Sequence, residues 1–482
     1  MIPSPEQSVQ TIAIVGAGFS GTATAVHLLR RPWKRSVRVV LIERGPEMGR
    51  GLAFARSDYP ALLNVPASQM SATMSDPEEF LRFVRRHDPR IQGEDFLPRA
   101  EYGAYLQELL RSAAAAAPPG VRLDQVHAEV VGVGEMHRDQ PVVLTLADGS
   151  HLTADAVVLA VGVPVSQVVE RIPFKSGLPA AAAGSTMSGL GRDGKDAILL
   201  VGTGLTMVDA VCATSERLPN ATLHAISRHG LLPRGQTQFR RHTSADEGRL
   251  ASMSAGSLSR LVKLARRLAR ESEQNGGDWR EVITHLRWEA PALWRGLSMA
   301  ERSRFLRHVR GYWDVHRHRA PPAALARLDD LLDTGRLSVH AGRVVSLAGS
   351  PGRLRVTWKP RGSFESRFLD VEEIVDCTGL EHDVTRASGR LWRDLLRRGL
   401  ARPDELRLGI RTGPCGALVG TDGAGSNRLF YVGPLLRADY WEATAVGELR
   451  MHAERLARHL ADRLPYAAER PASSATRERA YP

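Results

Sequence analysis

Cysteine is nearly absent from this sequence. Its 482 residues hold Cys212, Cys377 and Cys415 and no others. None pairs at metal-ligand or redox-dithiol spacing, which argues against a disulfide scaffold, a zinc ribbon and a Cys-x-x-Cys active site. Lysine is scarce too: only Lys34, Lys175, Lys195, Lys263 and Lys359 occur, so the net charge of +12 is an arginine charge. A polyanion-binding surface is one reading of that balance. The arginines are spread along the chain and accompany no nucleic-acid motif, so scattered solvated charge is preferred and no nucleic-acid partner is expected. Long apolar runs are also missing. No stretch approaches the ~20 apolar residues of a membrane helix, and residues 1–10 lack a basic segment leading into an apolar one. No membrane partner and a cytoplasmic location are the expectation.

What the sequence does contain is one architectural pattern, run twice. The length suits two or three domains. The first copy opens with an apolar strand run, 11–16, ending in Gly-Ala-Gly-Phe-Ser-Gly. A helix pattern covers 21–29, and a second strand, 37–42, ends at Glu43. A meander comes later: strand 142–146, the turn signal Asp148-Gly149, and strand 156–161. The second copy opens with strand 196–201 running into Gly202-Thr203-Gly204, with a helix from about Thr206. Strand 222–226 ends at Ser227-Arg228-His229. Meander strands 343–347 and 354–358 follow, then strand 373–376. The expected fold is α/β: two Rossmann-like dinucleotide-binding domains with β-meanders, plus a helical insertion at about 251–332. A last helix is expected over 441–464.

Each copy carries a nucleotide site. Gly16-x-Gly18-x-x-Gly21 follows a strand and opens a helix, as the dinucleotide fingerprint requires. Gly16 permits the tight turn, Gly18 the approach of a pyrophosphate, and Gly21 close helix–sheet packing. The helix N-terminus offers N–H groups to the phosphates. Glu43 lies 22 residues beyond Gly21, where a carboxylate can accept the ribose hydroxyl protons. In the second copy Gly202-x-Gly204 has Met207 in the third position. No acid ends its next strand; Ser227 and Arg228 stand there instead. An acid would repel a 2′-phosphate, whereas Ser-Arg can bind it. NADPH is therefore preferred to NADH here, with NADH the alternative if Arg228 is only a surface residue.

The insertion contains Trp279, Trp288, Trp294, Trp313, His308, His316 and His318 among several arginines. A pocket for an anionic or aromatic substrate is one reading. Tryptophans in a small helical core under a solvated basic face is the other, at equal weight. His316 and His318 do not share a helix face, so no metal site is expected. Gly433 ends a late strand, and a helix starting near residue 441 would point its N-terminus at negative charge.

These residues together resemble a known family. Gly16 to Gly21, Glu43, Gly51-Leu52-Ala53-Phe54, Leu63-Asn64-Val65-Pro66 and Met70-Ser71 resemble the FAD/NAD(P)-binding proteins of the two-dinucleotide-binding-domain flavoprotein class. Gly202 to Asp209, Ser227 to Pro233, Asp376 to Gly379 and Trp441 to Ala445 continue the match, and Trp313 to Arg319 fits that family's insertion. More distantly the chain is similar to flavin-dependent N-hydroxylating monooxygenases; the Phe-x-Gly-x-x-x-His signature of Baeyer–Villiger enzymes is absent. The resemblance implies FAD at the first site and NAD(P)H at the second. It implies an FAD-binding domain split over 1–170 and 381–465, and a nicotinamide domain split over 195–245 and 333–380. The insertion, 246–332, would cap the substrate, and 466–482 would be a disordered tail. Asn64, Met70 and Ser71 would approach the FAD, and Gly433, Thr444 and Ala445 its ring. Thr206 opens the second nucleotide helix. Arg437 and Glu442 are catalytic candidates by their proximity to the flavin segment. The reaction expected is an NADPH-dependent monooxygenation of a small nitrogen or carbon nucleophile by molecular oxygen. The alternatives are an NAD(P)H:acceptor oxidoreductase without oxygen insertion, or a nucleotide-binding accessory protein.

Overall fold

Parallel strands cannot be joined by tight turns; the chain must cross back over a sheet face, usually as a helix. Both halves of this chain are built that way. The structure is a computed structural model and describes residues 9–463 except 57–58, 136–139, 165–167, 178–195, 238–256, 351 and 387–388. The expected tail, 466–482, and the first residues of the expected insertion lie outside the described residues.

The first half comprises β1 (Gln10–Val15), α1 (Phe19–Leu29), β2 (Val37–Glu43), α2 (Glu79–Arg85), α3 (Arg99–Ala115), β3 (Val121–His127), β4 (Val130–Val133), β5 (Val142–Leu146), β6 (His151–Ala154) and β7 (Ala156–Leu159). The second comprises β8 (Phe174–Gly177), β9 (Ala197–Val201), α4 (Leu205–Arg217), β10 (Thr222–Ser227), α5 (Leu258–Gln274), α6 (Trp279–Gly296), α7 (Met299–His308), α8 (Arg310–Arg317), α9 (Pro322–Asp333), β11 (Leu337–Ser350), β12 (Arg353–Pro360), β13 (Arg367–Val371) and β14 (Glu373–Asp376). The chain then returns to the first sheet through α10 (Arg390–Arg397), β15 (Ala417–Val419), β16 (Gly425–Tyr431) and α11 (Val446–Arg463).

The first sheet runs β15-β16-β7-β1-β2-β3. It is parallel from β16 to β3, and β15 is an antiparallel edge. β1 and β2 read as near-continuous apolar runs because both faces are covered. Ile12, Ile14, Val37 and Val39 face a core shared with α1, α3 and α11, while Ala13, Val15, Val40 and Ile42 face the meander β4-β5-β6 and α10. α1 is buried over almost its whole length.

The second sheet runs β13-β12-β11-β10-β9-β14, with β8 added beside β11. β11 is one long strand with two jobs. Leu337 to Ala341 pair in parallel with β10, and Gly342 to Ser350 pair antiparallel with β12. α9 supplies the crossover from β10 to β11: Leu328 and Leu331 pack with Met207, Val211 and Leu223. The expected insertion boundary at residue 332 falls inside this helix, whose packing belongs to the second sheet. The cap proper is α5–α8. Among the described residues no helix is long and apolar enough to cross a membrane.

Candidate functional site

The two glycine turns are near-copies. Gly16 has φ +102°, and a Cβ there would lie 2.5 Å from the Ala160 carbonyl oxygen; Gly202 has φ +112°, and its Cβ would lie 2.4 Å from that of Cys377. In both, the turn is pressed onto the end of the neighbouring parallel strand, and only glycine fits. Gly16 N–H donates to the Ile42 carbonyl at 2.7 Å, and Gly202 N–H to that of Ile226 at 2.8 Å. Gly18 and Gly204 are the N-caps of α1 and α4 in matching extended conformations.

The copies differ at the front of the turn. A Cβ on Gly204 would meet nothing within 4 Å, and Thr206 beside it is exposed, so the start of α4 is open to a pyrophosphate. A Cβ on Gly18 would sit 3.6 Å from Gly51 Cα. That is ordinary contact, whereas a Cβ on Gly51 (φ +60°) would lie 2.8 Å from Gly18 Cα, so it is Gly51 that lets a second backbone turn close on the first. Gly21 packs so tightly that its Cβ would strike the Gly16 carbonyl; the equivalent Met207 is fully buried and fills the second core.

At the ends of the second strands, Glu43 and Ser227 share a task the sequence did not reveal. Glu43 accepts the Ala17 N–H at 2.8 Å and the Gly45 N–H at 2.9 Å, bracing the first turn. Each carboxylate oxygen keeps a lone pair for a ribose hydroxyl. Ser227 Oγ accepts the Gly230 N–H at 3.0 Å and lies 2.8 Å from Thr203 Oγ1, which itself reaches the Leu231 carbonyl at 2.6 Å. Ser227 therefore braces the second turn, leaving Arg228 as the charged group there. Burial first, then the Arg310 and Arg343 guanidiniums, push the Arg228 pKa below its ordinary value. Burial, Arg361, Arg228 and Arg343 likewise push His229 down. Among the described residues none of Arg228, Arg343 and Arg361 forms an ion pair. Positive charge from elements far apart in sequence thus gathers around one spot, with Asp314 the acid that offsets part of it at Arg228.

A cavity of about 1690 Å³ opens between the first domain, the cap and the second domain. Asn64, Met70, Thr444 and Ala445 all line it, together with Val446 and Gly447 at the start of α11. That helix begins at Val446, later than the sequence suggested, so residues 441–445 form a turn that presents Thr444 and Ala445 at its N-terminus. Ser71 is not on the wall. It is fully buried and its hydroxyl bonds within the 71–76 loop to the Thr73 and Asp76 carbonyls. Gly433 is also off the wall, in a turn where a side chain would strike the Tyr431 hydroxyl.

The catalytic candidates lie elsewhere than expected. Glu442 is 2% exposed; it accepts Trp313 Nε1–H at 3.0 Å and Arg317 Nε–H at 2.8 Å. Arg437 stacks 4.0 Å over the Trp441 ring and lies 4.0 Å from Asp314. Neither lines the cavity. Both belong to a buried mooring that fixes the cap to the chain between β16 and α11. Trp294 Nε1–H donates to the Ala438 carbonyl at 2.9 Å, and Arg287 donates two hydrogen bonds to the Glu448 carboxylate at 2.5 and 2.7 Å. Trp294, Phe305 and Trp441 form its apolar core. Both residues lie against the cap and off the cavity wall.

The cavity floor comes instead from the end of α8, part of the stretch for which the sequence offered an anionic- or aromatic-substrate pocket as one of two readings. Arg317, His318 and Arg319 follow one another out of α8, and Arg287 and Arg450 join them. Burial, then Arg317, holds the His318 imidazole down to about 3, so it is neutral at physiological pH. Burial, then Arg317, brings Arg319 down to about 10. The histidine and arginine string was visible in the sequence; that it turns inward was not. Among the described residues no three His, Cys, Asp or Glu side chains are grouped to hold a metal.

Two parallel sheets, each with a glycine turn feeding a helix, define a protein built on two dinucleotide-binding domains. Residues 13–164 match the family model described as FAD-NAD(P)-binding, and form a domain of that kind. No curated protein sequence matches the chain. Among solved structures, the chain is similar to the ornithine N-hydroxylase of Kutzneria sp. 744, in complex with reduced FAD, NADP+ and L-ornithine. The TM-score is 0.59 at 15% identity, over 95% of this chain and 100% of that one. The L-lysine 6-monooxygenase of Pseudomonas syringae aligns with TM-score 0.60 at 14% identity, over 95% and 99% of the chains. The FAD-bound cadaverine monooxygenase of Erwinia amylovora aligns with TM-score 0.59 at 14% identity, over 98% and 100%. At these identities the likeness establishes the fold.

Proposed function

We propose that this chain is an NADPH-dependent flavin monooxygenase acting on a small nucleophilic substrate held in the cavity. The observation that carries it is the contrast between the two strand ends: Glu43 at one, Arg228 with Arg343 and Arg361 at the other. One suits a free ribose and the other a 2′-phosphate, so two different dinucleotides are accommodated. The residues present fit FAD at the first site. Gly16 and Gly18 form the turn, Glu43 retains acceptor capacity for the ribose, and Asn64, Met70, Thr444 and Ala445 converge on one cavity. The same kind of chemistry in the solved neighbours supports the reading.

When bound, FAD supplies the redox chemistry, taking a hydride from NADPH and delivering electrons to molecular oxygen. The chain's own part is to bind, orient and shield. The N-terminus of α11 favours negative charge where Thr444 and Ala445 face the cavity. His318, held neutral on the wall, can exchange a hydrogen bond with a substrate. The cap, moored through Glu442 and Glu448, roofs one side of the cavity.

The test begins with the purified protein. Flavin absorption is expected, and NADPH should bleach it anaerobically faster than NADH does. Labelled dioxygen should then place one atom in the product. A protein without flavin refutes the proposal. Bleaching followed only by peroxide release, across amines and acids alike, replaces it with an acceptor oxidoreductase.

A further inference from the structure

We infer that the cavity receives its substrate by a carboxylate, carried on an apolar body, and that Arg317 and Arg319 recognise it. The inference rests on the monooxygenase reading for the fate of that substrate, but not for its binding.

Charge in the cavity is layered. Glu94, Asp95 and Glu271 stand exposed on its walls, whereas Arg317 and Arg319 are each 8% exposed. A buried guanidinium demands an acceptor for each N–H. Glu442 satisfies Nε of Arg317, but Nη2 of the same side chain has no hydrogen-bond partner among the described residues. Arg450 donates one Nη1–H to the Ser71 carbonyl and leaves Nε without a partner. Glu448 is held by Arg287 through both oxygens. The floor therefore holds more donors than the protein's own acids satisfy, in a planar form that matches a carboxylate. The start of α11 lines the same space and adds the positive end of its dipole.

Part of the remaining wall, on α5 and α6, is apolar or aromatic. Leu268, Val282 and Trp288 lie on it, and Trp288 is half exposed although large. An apolar body can rest there while its acid end reaches the floor. On the floor an ammonium would instead face Arg287, Arg317, Arg319 and Arg450, away from the acids Glu94, Asp95, Glu271 and Glu281 of the walls. Ornithine, lysine and cadaverine are named for the solved neighbours; all three carry ammonium groups, and ornithine and lysine a carboxylate as well. The floor of this cavity is laid out for the acid end.

Calorimetric titration of the full-length, flavin-loaded protein with hexanoate and with hexylamine, at one pH and ionic strength, tests the inference. Hexanoate is expected to bind and hexylamine not to. Arg319→Gln should weaken hexanoate about tenfold or more, the scale of a charge-assisted hydrogen bond, with NADPH affinity unchanged. Arg317→Gln should do the same; because Glu442 depends on Arg317, Arg319→Gln decides if that variant does not fold. Tighter binding of hexylamine, binding of neither, or unchanged hexanoate affinity in Arg319→Gln overturns the inference. The last result would mean that the arginines serve the flavin alone. Wild-type protein lacking flavin, or not bleached by NADPH, refutes the proposed function instead, and hexanoate binding can still be measured on it.

Discussion

Arg228→Ala is the sharpest test of how the two nucleotide sites differ. The 2′-phosphate carries about −1.5 to −2 charges near neutral pH, by analogy with other phosphate monoesters. A hydrogen bond from a charged donor contributes about 1.5–3 kcal/mol. Arg228 is open to solvent on one side, so screening brings the expected loss to about 1–2 kcal/mol. Arg343 and Arg361 remain in the variant and keep part of the field. Converted to affinity, the loss is roughly five- to thirtyfold. It should appear as a rise in the Michaelis constant for NADPH, in an anaerobic flavin-reduction assay, while the constant for NADH stays within about twofold. The NADPH effect should shrink as salt is raised. Equal losses for both nucleotides would refute the reasoning, because the only difference between them is the phosphate.

Other outcomes follow from the same geometry. Gly204→Ala should fold and retain its flavin, since a Cβ there meets nothing, yet bind NADPH more weakly; Gly202→Ala should be recovered poorly, because its Cβ meets the Cys377 carbonyl. Circular dichroism and flavin content after purification separate the two. Glu442→Ala leaves Arg317 buried without its acid and should cost about 3–5 kcal/mol in denaturant titrations, whereas Glu442→Gln should keep the NADPH-driven bleaching rate of a residue remote from the chemistry. His318 has a folded pKa of about 3, below its ordinary value, so the unfolded chain binds the extra proton first. Its contribution to stability is complete above about pH 6.5 and is lost as pH falls towards 3, by roughly 1.4 kcal/mol per unit. Denaturant midpoints at pH 5 and pH 7.5 should converge in His318→Gln relative to wild type.

The nucleotide turns were legible in sequence because their constraint is local. A strand that must turn into a helix within a few residues, against a neighbouring strand, requires glycine at Gly16 and Gly202 whatever the rest of the chain does. Glu43 and Arg228 were legible for the same reason, since a fixed register places them at strand ends. Arg343 and Arg361 were not. They come from β11 and the turn after β12 and meet Arg228 only through sheet pairing. The cap shows the other limit. Its tryptophans divide: Trp294 is core, whereas Trp288 lines the cavity. Helical periodicity does not say which face meets which domain. Arg437 and Glu442 lie off the cavity wall because closeness along the chain to residues 433–445 does not set which face they present. Ser71 lies off it because the 71–76 loop occupies its hydroxyl.

The mooring of the cap has a consequence for anyone recombining such proteins. By sequence the cap is an excursion within the second half, yet Trp294, Arg287, Trp313 and Arg317 all fasten to residues 438–448, which follow β16 of the first sheet. A chimera that exchanges residues 196–376 as one block would carry a foreign roof onto a native foundation. Its buried guanidiniums would arrive without the carboxylates that receive them. The natural seam for an exchange follows those bonds through space, taking α5–α8 together with the short stretch ahead of α11.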